Sequence, residues 1–303
     1  MHSGLVAVNG FVSSPEKASI SVFDRGFLFG DNIFEVFVAF NRQILSLDLH
    51  LERLRRSGER LGLPIPWSNE ELKEELTAIL AQLGAPKVYV RLMITRGQGL
   101  GLEISESLQA NKIVMALPAK PFPSRHYEQG LSLTIANNRS TKRGAQAKTG
   151  NYSASIVAIQ GANREGFDDV LWCNDADEFT EASTANIFFI ARHGHELEVV
   201  TPHLDSGLLQ GITRNFVIEV LRRSLALKVS EIAVYREELP RFDEAFICST
   251  MRGVMPVHCI DQHRFHTRRP QSSYQHIEQS FLAAAWHELG GVYDWNSGKA
   301  LGA

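Results

Sequence analysis

Lys148 stands in A-K-T-G-N-Y (147–152), among small residues and beside an Asn-Tyr pair, with no carboxylate close in sequence. A lysine so placed is either a solvated amine or a nitrogen kept for nucleophilic work. Three further stretches bear on the choice. In L-L-Q-G-I-T-R (208–214) a glycine precedes Ile212, Thr213 and the apolar stripe Phe216, Val217, Val220 and Leu221. Free N–H groups and a hydroxyl at such a helix start suit a phosphate, and the hydroxyl equally suits a simple cap. In F-T-E-A-S-T-A-N-I-F-F-I (179–190) Glu181 occupies a polar turn that enters an apolar strand. A carboxylate there either binds a cationic ring nitrogen or serves as a turn acid. In F-I-C-S-T-M-R-G-V-M-P-V (246–257) a strand ends in Ser249-Thr250, before Met251-Arg252-Gly253. Hydroxyls and N–H groups at a strand end make an anion site or a plain loop.

Each signal has an ordinary structural reading. Together they describe one requirement: an electrophilic cofactor with a phosphate, a protonated ring nitrogen and an aldehyde that traps a lysine. Pyridoxal 5′-phosphate meets it. A fourth stretch, K-V-Y-V-R-L-M-I-T (87–95), alternates cleanly. Val88, Val90, Leu92 and Ile94 take one face of a strand; Tyr89, Arg91 and Met93 take the other. A phenol and a guanidinium thus share a face, which is either solvated or turned to a ligand.

The elements that must hold these groups are legible in outline. Asn9-Gly10 and Asn41-Arg42 separate apolar alternating runs and predict two hairpins, over 5–12 and 33–47. Asp48 is expected to cap a helix that runs through Leu61 to Gly62, with Leu51, Leu54 and Leu61 inward. Asn69 is expected to cap a second, with Leu72, Leu76, Ile79, Leu80 and Leu83 inward and Gly84 as its stop. P-A-K-P-F-P-S-R (118–125) holds three prolines in eight positions, which disfavours helix and strand alike and marks a linker. Beyond it, strands are expected near 131–135, 169–173, 186–191, 197–200 and 244–248. Helices are expected near 153–163, from about Thr213, and over 272–288. The tail G-G-V-Y-D-W-N-S-G-K-A-L-G-A reads as loosely held. Strands and helices mix without strict alternation, so the class is α+β (mixed α/β), with domains at 1–117 and 126–303.

Composition excludes other classes. The 303 residues are 44% hydrophobic, enough for real cores. The net charge of −3 offers no nucleic-acid or membrane surface, and only Arg264 to Arg269 is locally basic. The three cysteines, Cys173, Cys248 and Cys259, fit no zinc spacing and predict a reducing, cytoplasmic setting. No signal peptide, membrane span or metal site is expected. No G-x-G-x-x-G follows a strand, which argues against a dinucleotide-dependent oxidoreductase.

Six ordered motifs then resemble one family, the class IV (fold-type IV) pyridoxal-phosphate enzymes. This family takes in branched-chain and D-amino-acid aminotransferases and aminodeoxychorismate lyase. D-R-G-F-L-F-G-D-N-I-F-E (24–35) is similar to its D-R-G-x-x-x-G-D-G-x-Y-E opening. H-L-E-R-L (50–54), K-T-G-N-Y (148–152), T-E-A-S-T-A-N-I-F (180–188), G-I-T-R (211–214) and S-T-M-R-G-V-M-P-V (249–257) follow in the family's order. The resemblance implies a two-domain fold with pyridoxal phosphate held by Arg53, Tyr152, Glu181, Ile212, Thr213 and Thr250, and by Lys148 as Schiff base. Lys148 would also be the catalytic proton carrier, its pKa lowered by desolvation and by the cofactor's positive charge. Glu181 would keep the ring nitrogen protonated. The implied substrates are an amino acid and a 2-oxo acid exchanged by a ping-pong route. The implied assembly is a homodimer in which the loop 97–102 completes the neighbour's site.

Within the family, Tyr89-Val90-Arg91 resembles the Tyr-x-Arg strand of branched-chain aminotransferases, so Phe34, Tyr89, Arg91, Met251 and Arg252 are candidate substrate contacts. A hydrophobic, branched-chain-like amino acid with glutamate and 2-oxoglutarate as partners is the first choice. The loop Gly97 to Leu102 lacks the arginine and histidine of D-amino-acid enzymes, and Val36 replaces the threonine of the lyase. Two departures remain. Phe34 stands for the usual tyrosine, and Arg252 stands where small residues are usual, able to take a carboxylate or to face solvent. A non-catalytic binding module on the same fold is the alternative outside enzymes, and the retained lysine argues against it.

Overall fold

The computed structural model describes residues 3–105, 107–137, 147–194, 196–267 and 272–301. Arg268 and Arg269, from the basic stretch, lie outside the described residues. The chain forms two compact units: Met1–Pro121 with Ala147–Asn151 and Glu288–Ala303, and Phe122–Gln146 with Tyr152–His287.

The first unit is built on a six-stranded antiparallel sheet in the order β2-β1-β6-β5-β3-β4. Its strands are β1 (Leu5–Val8), β2 (Phe11–Ser13), β3 (Asn32–Phe40), β4 (Gln43–Ile44), β5 (Lys87–Thr95) and β6 (Asn111–Pro118). Asn9 (φ 50°) and Gly10 (φ 88°) form the expected tight hairpin turn, and Asn41 and Arg42 the second. Helices α2 (Leu47–Leu61) and α3 (Asn69–Leu83) cover one face, after the short α1 (Arg25–Phe29). Leu51, Leu54, Leu72, Leu76, Ile79 and Leu80 pack there on Ile33, Phe37, Ala39, Val88, Val90, Leu92 and Ile94. The alternation of β5 is as expected: these four residues are buried, while Tyr89, Arg91 and Met93 are half-buried on the opposite face.

Local starts and stops differ from expectation in detail. Ser46, not Asp48, precedes α2, and Asp48 pairs with Lys73 at 2.5 Å. Ser68, not Asn69, caps α3, in a capping box with Glu71. The tail is packed rather than loose: Tyr293 and Trp295 are buried, with ring centroids 5.4 and 5.0 Å from Phe40.

The second unit is built on a nine-stranded sheet in the order β12-β11-β10-β13-β14-β7-β8-β9, with β15 beside β14. Its strands are β7 (Leu131–Asn137), β8 (Asp169–Cys173), β9 (Phe179–Ala182), β10 (Asn186–His193), β11 (Glu196–Pro202), β12 (Val229–Ile232), β13 (Glu244–Ser249), β14 (Gly253–Ile260) and β15 (His263–Arg264). Residue Glu181 of β9 also bridges to Asn186 of β10, so part of the sheet closes on itself. Its core is a run of apolar strand residues such as Leu133, Phe179, Phe189, Ile247 and Met255. The helices are α4 (Ser124–Glu128), α5 (Ser153–Arg164), α6 (Ile212–Ser224) and α7 (Ser273–Leu289). Helix α4 begins inside the expected linker, directly after its last proline. Residues 253–260, for which the sequence predicted no element, are the strand β14, and the S-T-M-R-G stretch is the tight turn into it. Among the described residues no helix is long and apolar enough to cross a membrane.

Candidate active site

Lys148 sits in the first unit, although its place in the sequence put it with residues 126–303. The backbone explains this. Strand β3 has a free edge at residues 32–35, beyond the end of β4. The Lys148 segment lies along that edge: the Phe34 N–H donates to the Lys148 carbonyl at 3.0 Å, and Ile33 bridges to Thr149. The Lys148 N–H donates to the Ser57 hydroxyl of α2 at 3.2 Å. Asn151 closes over Gly30, where a Cβ would lie 2.1 Å from its Oδ1. Gly30 itself has φ 67°, so both backbone and space require glycine.

The Lys148 side chain extends over Phe34, its Nζ 4.7 Å from the ring centroid. Arg91 meets the same ring at 3.8 Å. The register Phe34↔Met93, Val36↔Arg91 and Val38↔Tyr89 puts Phe34, Tyr89 and Arg91 on one face of the sheet. The Nε of Arg91 is buried without a hydrogen-bond partner, and Arg91 has no ion pair among the described residues. A guanidinium so placed is prepared for an anion that the protein does not itself supply.

Glu35 points to the opposite, helix-covered face. There it accepts from Arg53 Nε at 2.7 Å and Nη2 at 2.6 Å, and contacts His50 Nδ1 at 2.8 Å. Burial raises the Glu35 pKa, but the Arg53 charge, the Arg53 hydrogen bond and the His50 contact outweigh it and lower the value to about 2. Burial pushes the His50 pKa down, which favours the neutral ring. The sequence reading assigned Arg53 but gave Glu35 and His50 no role. The available signal was a single acid within the apolar run 33–40, and a His-x-x-Arg pair on one helix face.

The second unit brings together the other candidates. Glu181 Oε2 accepts from the Leu209 N–H at 3.2 Å and the Asn186 amide at 3.4 Å. Asn186 also donates to the Leu209 carbonyl at 3.1 Å. Gly211, not Thr213, is the N-cap of α6, and no side chain caps that end. A Cβ on Gly211 would lie 2.0 Å from Asn186 Oδ1, so only bare backbone fits. Ile212 and Thr213 form the first turn, which holds no acidic residue. Their N–H groups precede the helix ladder and face its positive end. Thr250, Met251 and Arg252 form the β13–β14 turn, whose ends Ser249 and Gly253 are paired. Tyr152 is the half-buried N-cap of α5. The Arg252 guanidinium is engaged: Nη1 donates to Thr184 Oγ1 at 2.8 Å, and Nη2 lies 3.4 Å from Asp169 Oδ2.

Each unit by itself holds part of what a phosphorylated pyridine aldehyde needs: the first an amine on a fixed strand edge, the second a carboxylate in a turn and an uncapped helix start free of acid. Known proteins resemble the chain as a whole. The family described as amino-transferase class IV matches residues 32–260. A putative branched-chain-amino-acid aminotransferase of Methanocaldococcus jannaschii is 29% identical, over 84% of this chain and 88% of that one. A D-alanine aminotransferase of Listeria monocytogenes is 28% identical, over 84% and 87%. The crystal structure of the branched-chain aminotransferase of Thermoproteus uzoniensis superposes with a TM-score of 0.81 at 28% identity, covering 94% of this chain and 95% of that one. The chain belongs to the class IV aminotransferases, with the fold-type IV architecture and pyridoxal phosphate as cofactor.

Proposed function

We propose that this class IV aminotransferase moves the amino group of a hydrophobic, branched-chain-like amino acid to 2-oxoglutarate, and that Lys148 carries the proton. The observation that supports this most is Lys148 itself, fixed on the edge of β3 with its amine over Phe34 beside Arg91. Bound, the cofactor supplies an aldehyde for the substrate amine and a ring that accepts the electron pair of the broken Cα–H bond. Lys148 would be the base that takes the substrate's α-proton and the acid that gives it back. Glu181 would hold the proton on the ring nitrogen. Arg53, Tyr152, Ile212, Thr213 and Thr250 would bind and orient the cofactor. Arg91 receives a substrate carboxylate, with Tyr89 beside it on the same sheet face and Phe34 beneath. Met251 contributes apolar surface from the β13–β14 turn.

The preference for a hydrophobic substrate rests on the relatives and on the Tyr-x-Arg strand. Val36, which opposes Arg91, brings no hydroxyl for elimination chemistry. We also infer a homodimer. Phe23, Phe27, Leu100 and Leu102 are 52%, 67%, 75% and 80% exposed. Their segments are joined by Gly99 N–H to the Phe23 carbonyl (3.1 Å) and by Arg25 to the Gly101 carbonyl (2.6 Å). Large apolar side chains exposed this fully, on segments tied together, support the reading of an interface. The three buried free cysteines support a reducing, cytoplasmic setting.

The test is reduction of the holoenzyme with borohydride, followed by peptide mapping, and a spectroscopic half-reaction with L- and D-amino acids. Label on Lys148 and bleaching by L-leucine, L-isoleucine or L-valine are expected. Label elsewhere would sink the assignment of the lysine, and bleaching by D-amino acids alone would move the protein to the D-specific members.

A further inference from the structure

Two guanidiniums were candidates for a substrate carboxylate, and the structure treats them in opposite ways. Arg91 has a buried, unsatisfied Nε and no anionic neighbour among the described residues. Arg252 is engaged on several sides. Its Nη1 donates to Thr184 Oγ1 at 2.8 Å, and its Nη2 is 3.4 Å from Asp169 Oδ2. Its guanidinium carbon is 5.4 Å from the Phe122 ring centroid, and its carbonyl accepts from the Tyr127 hydroxyl at 3.0 Å. Asp169 is 2% exposed, and among the described residues its other oxygen accepts only from the neighbouring Val170 N–H, at 2.8 Å. Among the described residues, Arg252 is the cation paired with this buried carboxylate.

The partners are placed where a link has consequences. Thr184 lies in the turn between β9 and β10, which the Ala182 N–H to Ala185 carbonyl bond closes at 2.8 Å. Glu181 is three residues before Thr184. Arg252 lies in the β13–β14 turn, two residues after Thr250. Asn186 pairs with Cys248, so both turns emerge at the same end of neighbouring strands. We propose that Arg252 is a positioning residue that ties the β13–β14 turn to Thr184 of the β9–β10 turn and to Asp169 at the start of β8, the strand that pairs with β9, and so fixes Thr250 relative to Glu181. This rests on the reading of Glu181 and Thr250 as cofactor ligands. It also accounts for an arginine where relatives of the resembling family carry small residues. A small side chain would leave Asp169 unpaired and the two turns without this link.

The experiment compares wild-type protein with Arg252→Met, Arg252→Lys, Asp169→Asn and the Arg252→Met/Asp169→Asn double variant. Pyridoxal phosphate is titrated into each apo-protein by absorbance, and KM and kcat are measured with amino-acid substrates. Arg252→Met and Asp169→Asn should each raise the cofactor Kd about tenfold, the scale of one lost charge-assisted contact, while KM stays within about twofold. The double variant should be no weaker than the worse single one, because both break the same link. Arg252→Lys should recover part of the affinity. A large rise in KM for Arg252→Met with an unchanged cofactor Kd would overturn the proposal and make the guanidinium a substrate ligand. Additive losses in the double variant, or unchanged Kd throughout, would overturn it as well. Should Arg252→Met fail to fold, Arg252→Lys and Asp169→Asn carry the same comparison. A wild-type protein that takes up no cofactor overturns both this proposal and the reading beneath it. A wild type labelled at Lys148, with Kd unchanged in every variant, overturns the link alone.

Discussion

Arg53 grips Glu35 through two parallel hydrogen bonds, Nε to Oε1 at 2.7 Å and Nη2 to Oε2 at 2.6 Å, on the helix-covered face of the first sheet. Holding one edge of the fork fixes the plane of the guanidinium and thereby aims its other edge. The same strand therefore places two groups. Phe34 and the backbone beside it hold Lys148, and the next residue, Glu35, holds Arg53 on the opposite side.

That pair gives a prediction with a definite sign. Glu35 stays ionised in the folded protein down to about pH 2, whereas its ordinary value is near 4.5. Between these limits the unfolded chain binds the extra proton, so stability is present above about pH 4.5 and is lost as pH falls toward 2. Glu35→Gln leaves Arg53 buried without its counter-charge and should cost about 3–5 kcal/mol at neutral pH. The difference between wild type and variant should then shrink on acidification through this window. Urea unfolding of both proteins across that range measures it; a gap that stays constant with pH would show that the pair carries no proton linkage.

Arg91 is expected to act on binding and little on the fold, since no protein anion depends on it among the described residues. Arg91→Met should raise KM for carboxylate substrates roughly ten- to a hundredfold, the worth of a bidentate charged contact. Removing a guanidinium with an unsatisfied buried Nε should leave thermal stability unchanged or slightly improved. Steady-state kinetics beside a melting curve separate the two effects. A strongly destabilised variant with normal KM would make Arg91 a structural residue.

Gly211→Ala tests the helix start without changing any charge. The added methyl would lie 2.0 Å from Asn186 Oδ1, so Asn186 must shift. Asn186 contacts Glu181 and the Leu209 carbonyl, and its movement should disturb the carboxylate and the helix start together. Cofactor affinity is expected to fall at least about tenfold, with pyridoxal lacking phosphate affected less, if the uncapped N–H groups hold the phosphate as proposed. Equal losses for both compounds would assign the change to Glu181 alone.

The sequence exposed what is local and concealed what is distant. The turn residues Asn9-Gly10 and the alternation of Val88 through Ile94 are short-range signals, and both hairpin and strand form where they indicate. Helix starts were misplaced by one or two residues: Ser68 takes the capping role expected of Asn69, and α2 starts after Ser46 in a left-handed backbone with no side-chain cap. The address of Lys148 was not legible: nothing near residue 148 encodes an empty strand edge more than a hundred residues earlier. Glu35 was concealed for the same reason. Its partners His50 and Arg53 become neighbours only when α2 folds back onto β3.

The tail shows how such distant packing can be tested by pH. Lys87 at the start of β5 donates to the Trp295 carbonyl, with its Nζ 5.3 Å from the Phe40 ring centroid and 5.8 Å from that of Trp295. Burial lowers its pKa from about 10.5 to about 8, and the charge of Asp294 offsets this only in part. The folded protein therefore releases the Lys87 proton before the unfolded chain does. Between about pH 8 and 10.5 the unfolded state binds more protons, and this group makes stability rise with pH through that window. Below it the buried charge weighs against the folded state, while the contacts of the charged amine with the Trp295 carbonyl and the two rings favour it. Lys87→Met keeps apolar volume against Phe40 and Trp295 and removes the proton. Its stability measured across that range should lack the rise seen in wild type. A wild-type profile that is flat or falling there, relative to Lys87→Met, would mean the amine titrates as an ordinary surface lysine and that the aromatic residues alone hold the tail.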